Sequence, residues 1–454
     1  MNTNRRRFLT GCSAAIAALA GSRFGQFAFA GEPGDNDEIL IVLFLRGGID
    51  GLNLVPPIAG PDRGHYETAR PNLQVPTSGP DAAFNLNGLL GLHPSAAGLF
   101  DLYQDNKLSV IHAAGMTEAN RSHFDAMSFV ELGTPGFKNT PTGWLHRHLD
   151  TTGNIPEEII MPALSVGNLT QSSLRGSREA LNMSNINDFA LGNVGPSQWR
   201  SAVRTSLRRI YSESGDTWLH DTGLQTLDSL DIIEQSVQGD YTPANGAVYP
   251  NTSLANNLRT VARLVKLNLG LRVATLDLGG WDTHNGQGDG AGGYFGDRVR
   301  QLSEALSAFY LDLDGAGAQD YTSRMTLVVQ SEFGRRLREN ADRGSDHGHG
   351  NAILVLSGNA TGGVHGVWPG LAPGQLFDGA DLAVTTDFRR VLSEILIRRM
   401  GNPNLGDVFP GYGDYQPLGV VSGTDLPPIY GPGIHDDDFE SGNLSKWSSV
   451  VGGA

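Results

Sequence analysis

Ile39-Leu40-Ile41-Val42-Leu43-Phe44-Leu45, followed at once by Arg46-Gly47-Gly48-Ile49-Asp50-Gly51, decides the fold. Seven apolar residues in a row leave no polar face. The segment is therefore predicted as a strand covered on both sides, as in parallel sheets. Residues 108–112, 273–278, 325–330 and 352–356 have the same character. Between these runs, apolar residues return at intervals of three and four: Leu254, Leu258, Val261, Val265 and Leu269, then Val299, Leu302, Leu306, Phe309 and Leu313. That period predicts helices with one buried face. A further helix is predicted from a cap at Thr386 to Met400, with Gly401 beyond its end. Strand–helix alternation of this kind predicts an α/β fold: a doubly wound, mostly parallel sheet flanked by helices.

The pattern weakens on either side of these runs. Residues 151–270 are less sheet-like: the stretch 168–195 is rich in Asn, Ser and Gly, and 197–238 is helical and polar. This region is predicted as a helical or irregular cap insertion on a domain spanning 31–420. Residues 421–454 hold Pro, Gly and the acidic run Asp436-Asp437-Asp438, and are predicted as a loosely ordered tail. At the other end, Arg5-Arg6-Arg7-Phe8-Leu9, the apolar run 14–20 and Ala28-Phe29-Ala30 make a basic start, a short apolar centre and a small-x-small exit. This predicts a twin-arginine signal peptide, residues 1–30, cleaved near Ala30. The expected destination is the periplasm or the extracellular space, with the twin-arginine translocase as the partner in export. Leu9-Thr10-Gly11-Cys12 has the look of a lipid-attachment box but precedes the apolar run, so lipidation is not expected.

Composition narrows the function classes. The chain has 454 residues and a formal net charge of −15, and the four arginines of the signal face no acid, so the remainder is more acidic still. Such a surface argues against nucleic acid or anionic membrane as a partner. No apolar run after the signal reaches the length of a spanning helix. Cys12 is the only cysteine. Beyond the signal, disulfides, thiolate metal sites and a cysteine nucleophile are therefore excluded.

The residues able to do chemistry fall just after the predicted strands. Asp50 follows the first; Thr117, Ser122 and His123 follow the second; Asp282 and His284 follow the third in Gly279-Gly280-Trp281-Asp282-Thr283-His284. Glu332 and Arg335 follow the fourth, and Asp346-His347-Gly348-His349 precedes the fifth. In an open α/β sheet such loops meet at the carboxyl edge, where ligands bind. Carboxylates gathered without a cation repel one another and raise each other's pKa, so a metal is the expected reason to gather them. Mixed imidazole and carboxylate ligation suits one or two divalent transition metals, zinc or manganese foremost. Asp50, Asp282, His284, Glu332, Asp346, His347 and His349 are the candidate ligands. Each also has a plainer reading, Asp50 as a turn cap above all. Ser122 carries two readings. Spaced from Asp125 as in a capping box, it is a helix N-cap; at a helix start it is also placed as a nucleophile. The roles compete for one oxygen, and the spacing favours the cap. The glycine-rich stretch 286–293 is predicted as a mobile lid beside Asp282 and His284.

The twin-arginine start, Leu45-Arg46-Gly47-Gly48-Ile49-Asp50-Gly51-Leu52-Asn53, Arg121-Ser122-His123-Phe124, Gly280-Trp281-Asp282-Thr283-His284, Ser331-Glu332-Phe333-Gly334-Arg335 and Asp346-His347-Gly348-His349-Gly350 together resemble the exported "domain of unknown function 1501" family. That family is similar to the alkaline phosphatase and sulfatase superfamily. The resemblance implies an alkaline-phosphatase-like fold and a di-metal site, with Asp50, Asp346 and His347 holding one ion beside Ser122, and Asp282, His284 and His349 the other. It implies a metal-dependent hydrolase of phosphate or sulfate esters, acting on a small anionic ester or a sulfated or phosphorylated polymer. Ser122 would attack in line, and Arg46, Arg121 or Arg335 would hold the anion. The alternative is a non-catalytic cell-envelope or assembly protein that keeps the fold and a structural metal.

Overall fold

The computed structural model describes residues 37–431, apart from 154–160, 168, 179, 186–196, 217–218, 221–222, 225, 229 and 232–239. The expected signal peptide, the acidic run of the expected tail and parts of the expected cap lie outside the described residues.

The first apolar run is strand β1 (Ile39–Leu45), buried at every position. It lies in the middle of a nine-stranded sheet. The other members are β2 (Leu108–Gly115), β3 (Ala163–Val166), β4 (Ala180–Met183), β5 (Val273–Leu278), β6 (Met325–Ser331), β9 (Asn351–Ser357), β10 (Gly363–His365) and β11 (Thr386–Asp387). Their order is β10-β2-β9-β6-β1-β5-β3-β4, with β11 also paired to β2. A separate hairpin, β7 (Arg335–Glu339) and β8 (Ser345–His347), rises between β6 and β9.

Alternate residues of β1 serve two cores. Ile39, Ile41, Leu43 and Leu45 face one, with the helices Ser253–Leu267 and Gly293–Leu313. Leu40, Val42 and Phe44 face the other, with the helices His123–Leu132, Trp144–Thr151 and Phe388–Arg398. Helices on both faces account for the missing polar alternation in the sequence. A charge placed mid-strand, such as Val42→Asp, would be buried with no partner and cost on the order of several kcal/mol.

Four differences from the sequence reading have local causes. Strand β9 is antiparallel to both neighbours, β2 and β6; an apolar run reports burial but not direction. The helix Phe388–Arg398, expected to start from Thr386, is capped by Asp387, whose side chain accepts from Arg389 N, while Thr386 belongs to β11. Two segments of the expected insertion, β3 and β4, extend the sheet in parallel from β5. Residues 421–431 hold partners on the domain: Val421 bridges to Ala360, and Ile429 exchanges backbone bonds with Pro403 and Gly406.

The direction of β9 brings the hairpin to the site. Because β6 ends and β9 begins at the same edge of the sheet, everything between them projects there. His123 heads the helix after β2, and Asp282 and His284 follow β5, so all three loop systems meet at one edge.

Candidate metal centre

Three imidazoles converge on one carboxylate. His284 Nε2 lies 3.1 Å and His347 Nε2 3.2 Å from Asp282 Oδ1, and His123 Nε2 lies 3.3 Å from Asp282 Oδ2. His284 Nε2 and His347 Nε2 are 2.8 Å apart. Ligand atoms about 2.1 Å from a zinc ion stand about 3.4 Å apart around a tetrahedron, so these separations are of coordination size. Among the described residues, His123, Asp282 and His347 form the group whose ligand atoms all lie within 4.8 Å of one another.

Each ring is held from behind through its other nitrogen. His123 Nδ1 meets Glu332 Oε1 at 2.8 Å, His284 Nδ1 meets Asp346 Oδ1 at 3.0 Å, and His347 Nδ1 meets the Arg121 carbonyl at 2.8 Å. A carboxylate or carbonyl can only accept, so each Nδ1 carries a proton, which leaves Nε2 as the atom free to bind a cation at the centre. Two Nε2 lone pairs at 2.8 Å repel unless a proton or a cation lies between them. His123 Nε2 is buried and lacks a hydrogen-bond partner of its own. Ligating histidines are generally oriented by an acceptor behind the ring, and all three here have one. The donor set fits a divalent metal.

The electrostatics agree. Burial opposes ionisation of Asp282, but the hydrogen bond and charge of Arg335 outweigh it and hold the carboxyl down at about 2. The hydrogen bond to Glu332 raises the pKa of His123. Burial lowers that of His347, opposed by its bond to the Arg121 carbonyl. Glu332 is pushed up by burial, yet hydrogen bonds from His123, Gly47 N and Ser331 bring it below its usual value. The centre thus holds a permanent carboxylate, with 47 % of the Asp282 side chain open to solvent.

Close backbone approach makes this possible at Gly47, whose φ is +119°. A Cβ there would lie 2.5 Å from Asp282 N, so a side chain would drive the β1 loop away from the Asp282 loop.

Of the residues singled out in the sequence, Asp282, His284 and His347 come together. Asp346 and Glu332 stand behind rings instead, each orienting a histidine. Asp50 lies elsewhere: fully buried, it pairs with Arg70 Nη1 at 2.6 Å, accepts from Gln287 Nε2 at 2.6 Å and caps the short helix Gly51–Leu54. His349 is also apart, its ring stacked on Phe377 at 4.1 Å, and burial lowers its pKa to about 4. Arg335 is 1 % exposed and donates to the carbonyls of Gly48, Ser345, Gly47 and Trp281 as well as to Asp282, so it steers a ligand and has no face toward a substrate. Arg46 is engaged by Glu131 and Asp277. Arg121 pairs with Asp381 and keeps 36 % of its side chain exposed.

Ser122 occupies the N-cap position without capping: its exposed side chain makes no hydrogen bond to the helix. Ser122 N donates instead to Asn120 Oδ1 at 2.7 Å, and Asp125 is drawn to Lys138. The capping-box spacing is present, but its members have other partners. His123 is the residue the sequence reading left out of the ligand set. Its signal was there, a histidine next to Ser122 in Arg121-Ser122-His123-Phe124.

Residues 233–406 match the model of a family described as "Protein of unknown function (DUF1501)". That stretch includes Asp282, His284, Glu332, Asp346 and His347 but not His123. No curated protein matches the chain. Among solved structures, the chain is similar to the lipoteichoic acid synthase LtaP from Listeria monocytogenes, at 10 % sequence identity, with 87 % of this chain and 79 % of that chain covered and a TM-score of 0.33. No helix among the described residues is long and apolar enough to cross a membrane.

Proposed function

We propose that this chain is an exported, metal-dependent hydrolase of phosphate or sulfate esters, with one divalent transition metal held by His123, Asp282, His284 and His347. The observation that carries the reading is the convergence of three Nε2 atoms on Asp282, each ring fixed through Nδ1. Bound there, the metal supplies Lewis acidity toward an ester oxyanion.

The other tasks belong to the chain's own groups. Ser122 is the nucleophile: its Oγ bonds to phosphorus or sulfur as the bond to the alkoxy group breaks, the serine's proton leaving with the alcohol, and water then cleaves the Ser122 ester, releasing the anion and returning a proton to Oγ. The head of a helix favours negative charge near that oxygen, because its first N–H groups lack helical partners. Arg121, anchored by Asp381, holds a non-bridging oxygen of the substrate through its exposed face. The Arg121 carbonyl meanwhile orients His347, so one residue serves both anion and ligand. The substrate is a small anionic ester or a phosphorylated or sulfated polymer. Export by the twin-arginine route, to the periplasm or beyond, belongs to the same proposal.

One observation favours a second reading, a non-catalytic envelope protein with a structural metal. Asp50, expected as a metal ligand, and Arg335, expected to hold the anion, are both locked in internal pairs. A single experiment separates the two. Protein purified without chelator is analysed for metal, then assayed with zinc or manganese on aryl phosphate mono- and diesters and aryl sulfates. The hydrolase reading expects about one equivalent of tightly held metal and turnover that chelation abolishes. Metal without turnover supports the second reading; metal-free protein that takes up none refutes both.

A further inference from the structure

We infer that Gln287 is a positioning residue that sets the register between the two ligand-bearing segments, a role that rests on the metal reading of the site. The amide is 1 % exposed, and its side-chain hydrogen bonds go to Thr283, Ser345 and Asp50, none of them among the four ligands. Its Oε1 accepts two hydroxyls at once: Thr283 Oγ1 at 2.9 Å and Ser345 Oγ at 2.7 Å. Thr283 stands between Asp282 and His284. Ser345 immediately precedes Asp346 and His347. One carbonyl oxygen therefore joins the loop that supplies two ligands to the hairpin that supplies the third. A direct backbone bond, Ser345 N to Thr283 O at 3.0 Å, runs beside it.

The other end of the amide is anchored. Gln287 Nε2 donates to Asp50 Oδ2, the carboxylate that Arg70 neutralises. Arg70 also donates to the carbonyls of Arg336 and Leu337 in β7, and with Tyr66 OH it converges on Asn53 Oδ1. Turning the amide by half a turn would set its oxygen against the Asp50 carboxylate, two acceptors with no proton between them. The orientation is thus fixed by charge as well as by shape.

This role changes the reading of the glycine-rich stretch. Expected as a mobile lid, residues 286–293 are instead built into the scaffold. Gly286 N and Gln287 N donate to the carbonyls of Asp342 and Arg343 in the hairpin turn, and Phe295 N donates to Gln287 O. Gly290, at φ +89°, passes so close to the Gln74 carbonyl that a Cβ would collide with it. The glycines let the backbone press between two segments and deliver one amide to a buried point. Asp50, expected to bind metal, acts one layer further out as the anchor of that amide.

The test compares Thr283→Val and Ser345→Ala, each removing one leg, with Thr283→Ser, which keeps the hydroxyl. Zn²⁺ affinity is measured in the full chain by competition with a chromophoric chelator, and Co²⁺ is followed by its visible absorption. Each leg variant should bind Zn²⁺ at least about tenfold more weakly and show a weakened, shifted Co²⁺ spectrum, with circular dichroism unchanged. Thr283→Ser should behave as wild type. A merely structural role would lower the melting temperature of metal-free and metal-loaded protein alike and leave Zn²⁺ affinity as it was. Leg variants that bind Zn²⁺ as tightly as wild type would overturn the inference while leaving the metal site standing. A wild type that binds neither ion would overturn both.

Discussion

Glu332 Oε1 sits 2.8 Å from His123 Nδ1, and the same oxygen accepts from Gly47 N at 2.8 Å. One buried carboxylate thus fixes a ring on the helix after β2 and the turn after β1. Glu332→Gln keeps the shape and removes the charge. Metal affinity should fall about 10- to 100-fold with the fold intact, as read by chelator competition. An unchanged dissociation constant would remove Glu332 from the centre.

Ser122→Ala gives a sharper forecast than the sequence allowed. Because the hydroxyl caps nothing, stability should stay within about 0.5 kcal/mol of wild type, half or less of a usual cap loss. Metal content should also hold, while ester hydrolysis disappears. Turnover surviving in the alanine variant would take Ser122 out of the mechanism.

The buried Asp50–Arg70 pair makes a prediction of the opposite kind. Arg70→Met strands a buried carboxylate and should cost about 3–5 kcal/mol in urea unfolding. Adding Asp50→Asn to that variant should recover part of the loss. A double variant no better than the single would mean that the pair is not the source.

Three histidines away from the centre set a pH limit. His93, His112 and His148 each have a pKa lowered by burial to about 4. A folded pKa below the unfolded value means that the unfolded chain binds more protons between them. Their stabilising contribution is complete above about 6.5 and is lost as pH falls toward 4. Chelator-treated protein should lose several kcal/mol of unfolding free energy between pH 7 and pH 5. His148→Leu should flatten that slope by about one proton, and an unchanged slope would contradict the assignment.

Export is tested at the other end of the chain. Replacing both Arg5 and Arg6 with Lys should leave uncleaved precursor in the cytoplasm, read by fractionation and blotting. Normal export of that variant would refute the twin-arginine route.

Much of this molecule was legible in its sequence, and the illegible parts share a cause. Runs of apolar residues located the five central strands because burial on both faces leaves a local mark. Direction leaves none, so the reversal of β9 was invisible. Asp282, His284 and His347, which the structure brings together, stood out because ligand-type residues cluster after strands. Their division of labour did not, since Asp346 and Asp282 are the same residue type and differ only in what lies in front of them. Arg70 and Gln287 gave no signal at all. One is a lone arginine after a helix and the other a glutamine among glycines, and each depends on partners remote in sequence, Arg336 and Leu337 for Arg70, Ser345 and Asp50 for Gln287. Ser122 shows the converse: a capping-box spacing is a local cue, and partners from outside that spacing, Asn120 and Lys138, overrode it.

Strand β2, which leads into Ser122 and His123, pairs only with β9, β10 and β11 among the described strands. All three partners begin at or after residue 351. A ribosome that has just finished β2 must therefore make most of the remaining chain before that strand has any neighbour to bond. Until then its edges lie open, the state in which nascent chains aggregate or engage chaperones. His123 is translated early and installed late. A chain cut between His347 and β9 would carry His123, Asp282, His284 and His347 and still lack all three strands that pair with β2.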